Sequence, residues 1–185
     1  MEATKLLMEE HRIIEHLLAS MNNAARRLES GEAIRVEFFV DAAEVIKGFA
    51  DGCHHRKEEG ILFPAMEAAG VQRDGGPIGV MLAEHEQGRR LTRAMLEAAR
   101  QLTQGDKSAT AAVIGNARGY VDLLKQHIQK EDNVLFPMAD QVLIGAQADE
   151  MAEAFERVEQ EETGAGVHEK YHEKVESLAR EVEAH

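Results

Sequence analysis

Apolar side chains recur at steps of three and four residues along four long stretches of this 185-residue chain. That period places them on one face of an α-helix. The stretches run from about residue 3 to 28, from 34 to beyond 62, from 78 to about 103, and from 113 to 138. Polar or glycine-rich breakers such as Ser30-Gly31 and Gly75-Gly76-Pro77 separate them. The pattern predicts an all-α protein, folded as an antiparallel up-down-up-down four-helix bundle.

The chain changes character after Gly145, where charged residues dominate. A weaker amphipathic helix is predicted from Val167 to about Glu183, just after a Gly-Ala-Gly turn. We therefore expect two parts. Residues 1–145 form the four-helix bundle, and residues 146–185 form a C-terminal helical extension that packs on its outside or caps one end.

Composition agrees with a helical protein and argues against several classes of binding partner. Hydrophobic residues make up 44% of the chain but aromatic residues only 4%, which disfavours a β-sandwich or barrel. A net charge of −13 repels phosphate backbones and anionic lipid, so we expect neither a nucleic-acid nor a membrane partner. The single cysteine, Cys53, rules out an intrachain disulfide, and no apolar run is long enough to span a bilayer. We therefore expect a cytoplasmic protein.

Histidines and glutamates interrupt the apolar stripes of all four predicted helices. Residues at i and i+4 lie on the same helix face, about one turn apart. A charged carboxylate on a face turned to the core is costly unless a cation or another partner compensates it. The residues in question are His11, His54, Glu58, His85, His127 and Glu131.

These residues belong to an internal repeat. Residues 54–64 match residues 127–137 at an offset of 73, and both segments read His-x-x-x-Glu followed by Leu-Phe-Pro. Upstream, Glu10-His11 matches Glu84-His85 at an offset of 74. A single His-x-x-x-Glu is more often an ordinary pair on a helix surface. Two half-sites repeated in register on apolar stripes favour a metal site instead.

The donor set limits which metals can bind. Neutral imidazole and carboxylate are ligands for iron, zinc and manganese. Inward-facing histidines and carboxylates in the core of a helix bundle can hold two such ions. The sequence therefore predicts a two-metal site, with the identity of the metal left open by the ligand types alone.

At these residues the sequence resembles the hemerythrin-like family, also called HHE cation-binding domains. The resemblance covers about residues 5–138. It implies an antiparallel four-helix bundle that holds two non-haem iron ions joined by an oxo or hydroxo bridge. It also implies that Glu58 and Glu131 bridge the two irons, while the terminal ligands are His11, His54, His85 and His127.

The sequence departs from the oxygen-carrying hemerythrins and looks more like the bacterial hemerythrin-like proteins. The oxygen carriers have a second histidine one turn after the histidine of the third helix, where this chain has Arg89. Their aspartate, five residues after the last histidine, corresponds to Asp132, whereas the internal repeat favours Glu131. The site is thus predicted to lack one nitrogen donor, which argues against reversible oxygen carriage.

The C-terminal segment offers candidates for the missing donor. His168 and His172 form an i,i+4 pair after the glycine-rich turn, although a solvated helix end explains them equally well. We predict that His168 is the seventh metal ligand, because the turn can deliver it to the open end of the bundle. His172 and His55 remain alternatives, and His55 is expected to face Asp51, beside the site or on the surface.

Tyr120 and Gly88 lie near the predicted ligands in the helical pattern. Tyr120 lies two turns before His127 on the same face and is expected in the core or in the wall of the metal pocket. Gly88, one turn after His85, leaves room for an exogenous ligand.

The predicted function is to bind or sense a small molecule, such as oxygen, nitric oxide or peroxide, in oxidative or nitrosative stress. An open coordination position on a metal makes such binding possible. One alternative is a diiron enzyme that consumes peroxide or repairs iron centres, so the question of enzymatic activity stays open. Iron handling and a metal-free structural bundle are further alternatives. The sequence identifies no protein partner.

Overall fold

The computed structural model describes residues 1–158 and 166–183, and within these ranges it contains six helices and no strand. None of these helices combines the length and the apolar character that crossing a membrane requires. The predicted all-α bundle with an extra C-terminal helix is confirmed. The helices are α1 (Glu2–Glu29), α2 (residues 37–68), α3 (Pro77–Thr103), α4 (residues 110–142), α5 (Ala146–Arg157) and α6 (Val167–Glu183), with a short 3-10 turn, Lys107–Ala109, before α4.

Polar contacts between helices establish that neighbours in the bundle run antiparallel. Along α1 and α4, His11 pairs with Asp132 and Glu29 pairs with Arg118, so the numbering rises on one helix as it falls on the other. Along α2 and α3, Asp51 lies beside Arg89, while Glu59 lies beside His85. The short connections between the helices require the same arrangement.

Wide π-helical turns interrupt α2 and α4 at the ligand-bearing segments. A proline inside an α-helix lacks the N–H donor, and its ring clashes with the carbonyl four residues earlier. Pro64 and Pro137 are each the second residue after such a turn, which indicates that the wide turn accommodates the ring. The segments of α2 are Glu37–Val45 (α), Ile46–His54 (π), His55–Lys57 (α), Glu58–Leu62 (π) and Phe63–Ala68 (α), and those of α4 are Thr110–Lys130 (α), Glu131–Leu135 (π) and Phe136–Val142 (α).

The hydrophobic core consists of two parts with a polar layer between them. The larger part includes Leu18, Phe39 and Val121, towards the end of the bundle where α1 finishes. The smaller part includes Leu7 and Phe136, near the start of α1. The predicted ligand residues fall between these two apolar regions. The bundle therefore seals a polar layer from both ends.

Helix α6 lies lengthwise in the groove between α1 and α2 rather than across one end of the bundle. Its apolar residues Val175, Leu178 and Val182 join the larger part of the core. Ion pairs flank this contact, from His16 of α1 to Glu176 and from Glu44 of α2 to Lys174. Burial of each aliphatic side chain is worth about 1.5–3 kcal/mol, so apolar packing holds α6 in place.

Helix α5 packs on the same face of the bundle as α6, but near the start of α1. Met151 and Phe155 of α5 are buried in the smaller part of the core. The Phe155 ring also lies 5.7 Å from the ammonium group of Lys57, which is fully buried. Together, α5 and α6 remove from solvent the face of the bundle formed by α1 and α2.

A glycine in α2 makes the close approach of α6 possible. A Cβ added at Gly48 would lie 1.7 Å from the hydroxyl oxygen of Tyr171, so an alanine must displace the ring. We expect Gly48→Ala to lower the free energy of unfolding by about 1–2 kcal/mol, as overpacking does. Gly115→Ala is the matched control, because nothing lies within 4 Å of its added Cβ. That change should stabilise α4 by roughly 0.5–1 kcal/mol. Chemical denaturation measures both values, and equal effects of the two substitutions would contradict the packing of α6.

Candidate metal centre

All four bundle helices contribute to one buried cluster of histidines and glutamates. His11 comes from α1, His54 and Glu58 from α2, His85 from α3, and His127 and Glu131 from α4. Their side chains are at most 2% exposed. The structure thus brings together six of the seven residues that the sequence nominated as ligands.

The two carboxylates each face both halves of the cluster. One oxygen of Glu58 lies 3.5 Å from Nε2 of His54, and its other oxygen lies 3.5 Å from Nε2 of His85. Glu131 repeats the arrangement, with one oxygen 3.2 Å from Nε2 of His11 and the other 3.1 Å from Nε2 of His127. Each carboxylate therefore turns one oxygen towards each half of the cluster.

Outer carboxylates fix the orientation of the histidine rings. In each ring Nδ1 lies within hydrogen-bond distance of an aspartate or glutamate, which accepts its proton and leaves the lone pair of Nε2 turned inward. This outer contact is the usual environment of a metal-bound histidine. The pairs are His11 with Asp132 at 2.6 Å, His54 with Glu10 at 2.9 Å, His85 with Glu59 at 2.7 Å, His127 with Glu84 at 3.0 Å, and His55 with Asp51 at 3.0 Å.

The inward-facing atoms lack compensation unless cations bind between them or protons take their place. Nε2 of His11 lies 3.0 Å from Nε2 of His54, and the same distance separates Nε2 of His85 from Nε2 of His127. Two lone pairs at that distance repel each other. The four oxygens of Glu58 and Glu131 are also buried and make no hydrogen bond within the described part of the chain. Such groups are rare in folded proteins, and divalent cations satisfy all of them at once.

His55 also belongs to the cluster, although the sequence placed it beside the site or on the surface. Its side chain is 2% exposed and its ring stacks on that of His85, with 3.9 Å between centroids. Its Nε2 is buried without a hydrogen bond among the described residues. Potential ligand atoms of His55, Glu58, His85 and His127 all lie within 4.8 Å of one another, as do those of a second group, His11, His54, Glu58 and Glu131.

The wide turns of α2 explain why helical periodicity missed His55. In a regular α-helix, neighbours such as His54 and His55 point about 100° apart, so both should not reach one centre. The π segment Ile46–His54 ends immediately before His55 and alters the angle between successive side chains. The expected contact between His55 and Asp51 could have identified His55 as a ligand from the sequence. A carboxylate on Nδ1 is the outer partner that a ligand histidine needs.

His168 lies outside both groups of potential ligand atoms. Its Nε2 is 3.7 Å from a carboxylate oxygen of Glu10, and its ring meets Phe49 edge-on at 5.1 Å between centroids. Helix α6 therefore brings His168 to the outer carboxylate of His54 rather than to the inward-facing atoms. His172 is exposed on the same helix.

The internal repeat extends to the residues around the ligands. Glu10 and Glu84, which the repeat matches, each contact the histidine of the neighbouring helix together with a lysine, Lys57 or Lys130. Arg89, at the position where oxygen carriers have a histidine, instead binds Glu59, the outer partner of His85. These ion pairs hold the outer carboxylates in place.

Without metal, the cluster keeps protons that ligands must give up. Burial raises the pKa of Glu58 well above its usual range, and the charge of Glu131 raises it further. Burial alone lowers the pKa of His127, but the carboxylates of Glu131 and Glu84 outweigh it and raise the pKa to about 9. For His54, burial dominates and lowers the pKa to about 4. His127 is thus protonated at neutral pH before metal binds, and Glu58 keeps its proton to a higher pH than an exposed glutamate does.

The geometry defines a helix bundle built around a buried cluster of histidines and glutamates that could hold metal ions. The sequence model of the hemerythrin HHE cation-binding domain matches residues 2–139, and the chain belongs to this family. It is a metal-binding, hemerythrin-like protein.

Three relatives illustrate the range of similar proteins. The uncharacterized protein Rv1995 of Mycobacterium tuberculosis is 28% identical over 158 residues, which cover 85% of this chain and 61% of that protein. The iron-sulfur cluster repair protein YtfE of Citrobacter koseri is 29% identical over 144 residues, or 69% of this chain and 64% of that protein. YtfE of Salmonella typhimurium is 34% identical over 88 residues, or 46% of this chain and 40% of that protein.

The chain spans about 61% of the length of the first curated relatives that it matches. No solved structure gives a significant match.

Two substitutions separate His55 from His168 as the seventh donor. We expect His55→Leu to weaken metal binding at one position by at least about tenfold, a loss seen even when an outer partner of a ligand is removed. His168→Leu should leave both affinities unchanged. Zinc titrations against a chromophoric chelator measure both variants. Weakened binding in His168→Leu with normal binding in His55→Leu would assign the seventh donor to α6.

The protons on Glu58 and His127 predict the direction of the pH dependence. Metal binding needs ionised carboxylates and neutral imidazoles, so loading releases protons at any pH below the pKa of His127, about 9. Affinity for zinc should therefore rise between pH 6 and pH 8.5, by about tenfold per pH unit for each proton released. The same chelator competition, corrected for protonation of the chelator, measures it. An affinity that stays constant across this range would contradict the assigned protonation states.

Proposed function

We propose that this chain is a non-haem diiron protein that binds or senses a small molecule, such as oxygen, nitric oxide or peroxide, in oxidative or nitrosative stress. One observation carries the proposal: Glu58 and Glu131 each turn one oxygen to either half of a buried histidine cluster. A structural bundle has no need of two uncompensated carboxylates in its core.

The residues present fit two ions with unequal surroundings. His11 and His54 would hold one ion, His55, His85 and His127 the other, and the two carboxylates would be shared. A pair of iron ions supplies redox chemistry and, where a coordination position is open, a place for a small molecule to bind. Zinc and manganese accept the same donors, so iron is part of the proposal.

The protein excludes water from the site and fixes the orientation of the histidine rings. Every proposed ligand is buried, which keeps bulk water from competing for the inward-facing atoms. The outer carboxylates hold each histidine in the tautomer that offers Nε2. In turn, Lys57 and Lys130 fix two of these carboxylates, Glu10 and Glu84.

A second candidate function is repair of iron centres. Two of the relatives named above are called iron-sulfur cluster repair proteins. The chain aligns with 64% of one of them, so the likeness supports the site more strongly than the whole activity. Consumption of peroxide is a further enzymatic alternative. Iron handling is less well supported, because ligands that are at most 2% exposed oppose rapid release of a cargo ion.

The setting of this function is also a proposal. A single cysteine suits a reducing compartment, so we place the protein in the cytoplasm. The net charge of −13 makes nucleic acid an unfavourable partner.

Metal analysis together with optical spectroscopy tests the proposal. Protein from iron-replete cells should contain about two irons per chain, the number that paired carboxylate sites in bundles hold. Its visible spectrum should change on addition of nitric oxide or peroxide. Glu58→Ala should lose iron and the spectrum, while Glu97→Ala, which removes an exposed carboxylate from α3, should retain both. Colourless protein free of iron would refute the proposal, and spectral change with turnover of peroxide would favour the enzymatic alternative.

A further inference from the structure

A groove runs along the seam between α2 and α3, outside the histidine cluster. Its main cavity has a volume of about 520 Å³, and its walls include Lys47, Asp51 and Thr92. A shallower depression further along the seam shares Asp51, Gly52 and Arg89 with it. The groove therefore reaches from solvent to Asp51, the carboxylate that holds Nδ1 of His55.

The internal repeat provides a closed copy of the same seam, between α1 and α4. Residues at corresponding positions are found 74 residues apart in α1 and α3, and 73 apart in α2 and α4. In α1 and α4, three of these positions carry large apolar residues of the core, and all are at most 3% exposed. Their counterparts in the open seam are polar. The pairs are Leu18 with Thr92, Leu124 with Asp51, and Ile128 with His55. These polar residues thus distinguish the α2/α3 seam from the α1/α4 seam.

The groove carries positive charge on a strongly acidic protein. Its main cavity is lined by Lys47, Arg89 and Arg93 against a single carboxylate, Asp51. Arg89 is engaged by Glu59 and Glu86. Within the ranges that the structure describes, neither Lys47 nor Arg93 joins an ion pair, and both are exposed. A basic concavity raises the local concentration of anions, and here it does so against a net charge of −13.

Two buried hydroxyl groups have no hydrogen-bond partner in the described part of the protein. They are Oγ1 of Thr92, which lines the cavity, and the hydroxyl of Tyr120. The Tyr120 ring packs against Gly88, whose added Cβ would lie 3.4 Å from it. Gly88 lies one turn before Thr92 on α3, so the Tyr120 ring is a close neighbour of the groove without forming part of its wall. Buried hydroxyls normally have a partner, and an oxygen acceptor would supply one.

We propose that the α2/α3 groove is a binding site for a small oxyanion, with formate as the probe, held by the charges of Lys47 and Arg93 and by a hydrogen bond from Thr92. The site needs no metal, and it lies outside the cluster formed by the inward-facing histidine nitrogens. The anion site can therefore be tested independently of the diiron proposal.

The two tyrosines of the chain give a direct test. Protein with ¹³C-labelled tyrosine, in metal-free and zinc-loaded forms, should give one signal from Tyr120 and one from Tyr171. Zinc is diamagnetic and leaves both signals observable. Titration with sodium formate, at an ionic strength held constant with sodium chloride, should shift the Tyr120 signal to saturation. The Tyr171 signal, from a residue on α6, should not move.

Substitutions on one helix make the test specific. Arg93→Gln should weaken formate binding by about tenfold, equal to about 1.4 kcal/mol at 25 °C. Arg90→Gln is the matched control, because it removes an exposed arginine of α3 that does not line the groove. Thr92→Leu, which introduces the residue of the closed seam, should abolish the shift while zinc binding stays normal. A linear shift, equal shifts of both tyrosines, or equal affinity in Arg93→Gln and wild type would overturn the proposal.

Discussion

The structure depends on the burial of two carboxylates, Glu58 and Glu131, in the middle of a helix bundle. Neither makes a hydrogen bond within the described residues, and transfer of an ionised carboxylate out of water is among the most costly events in folding. The cluster therefore requires cations between its histidines, or protons in their place, as the raised pKa values of Glu58 and His127 indicate. The two parts of the apolar core lie on either side of this layer and keep it dry.

A second layer of charge supports the first. Each inward-facing histidine rests on a carboxylate, and basic residues hold several of those carboxylates. The repeat builds this layer twice, but the tertiary structure treats the copies differently. Lys57 and Glu10 are fully buried beneath α5 and α6, whereas the side chains of Lys130 and Glu84 are 41% and 18% exposed. The C-terminal helices thus shield one face of the centre.

The two seams that join the halves of the repeat differ in polarity. Where α1 and α4 pack through Leu18, Leu124 and Ile128, the seam between α2 and α3 has polar residues and a cavity. His55 is part of this change, and it gives one group of potential ligands a third imidazole. The same differences that make the two groups of potential ligands unequal are accompanied by a cavity on that side of the bundle. The repeated scaffold thus has one apolar seam and one accessible seam.

The sequence by itself determined the four bundle helices, their antiparallel order and the convergence of six histidines and glutamates, because helical periodicity and an internal repeat fix which residues share a face. It also determined the helix Val167–Glu183 but not its place. Only the tertiary structure decided that α6 lies along the groove between α1 and α2, with His168 against Glu10, and that His55 joins the cluster. The reason is physical: the wide turns around His54 and Glu58 break the 3.6-residue period on which the sequence argument rests. Contacts between helices distant in sequence then select which side chain meets which partner.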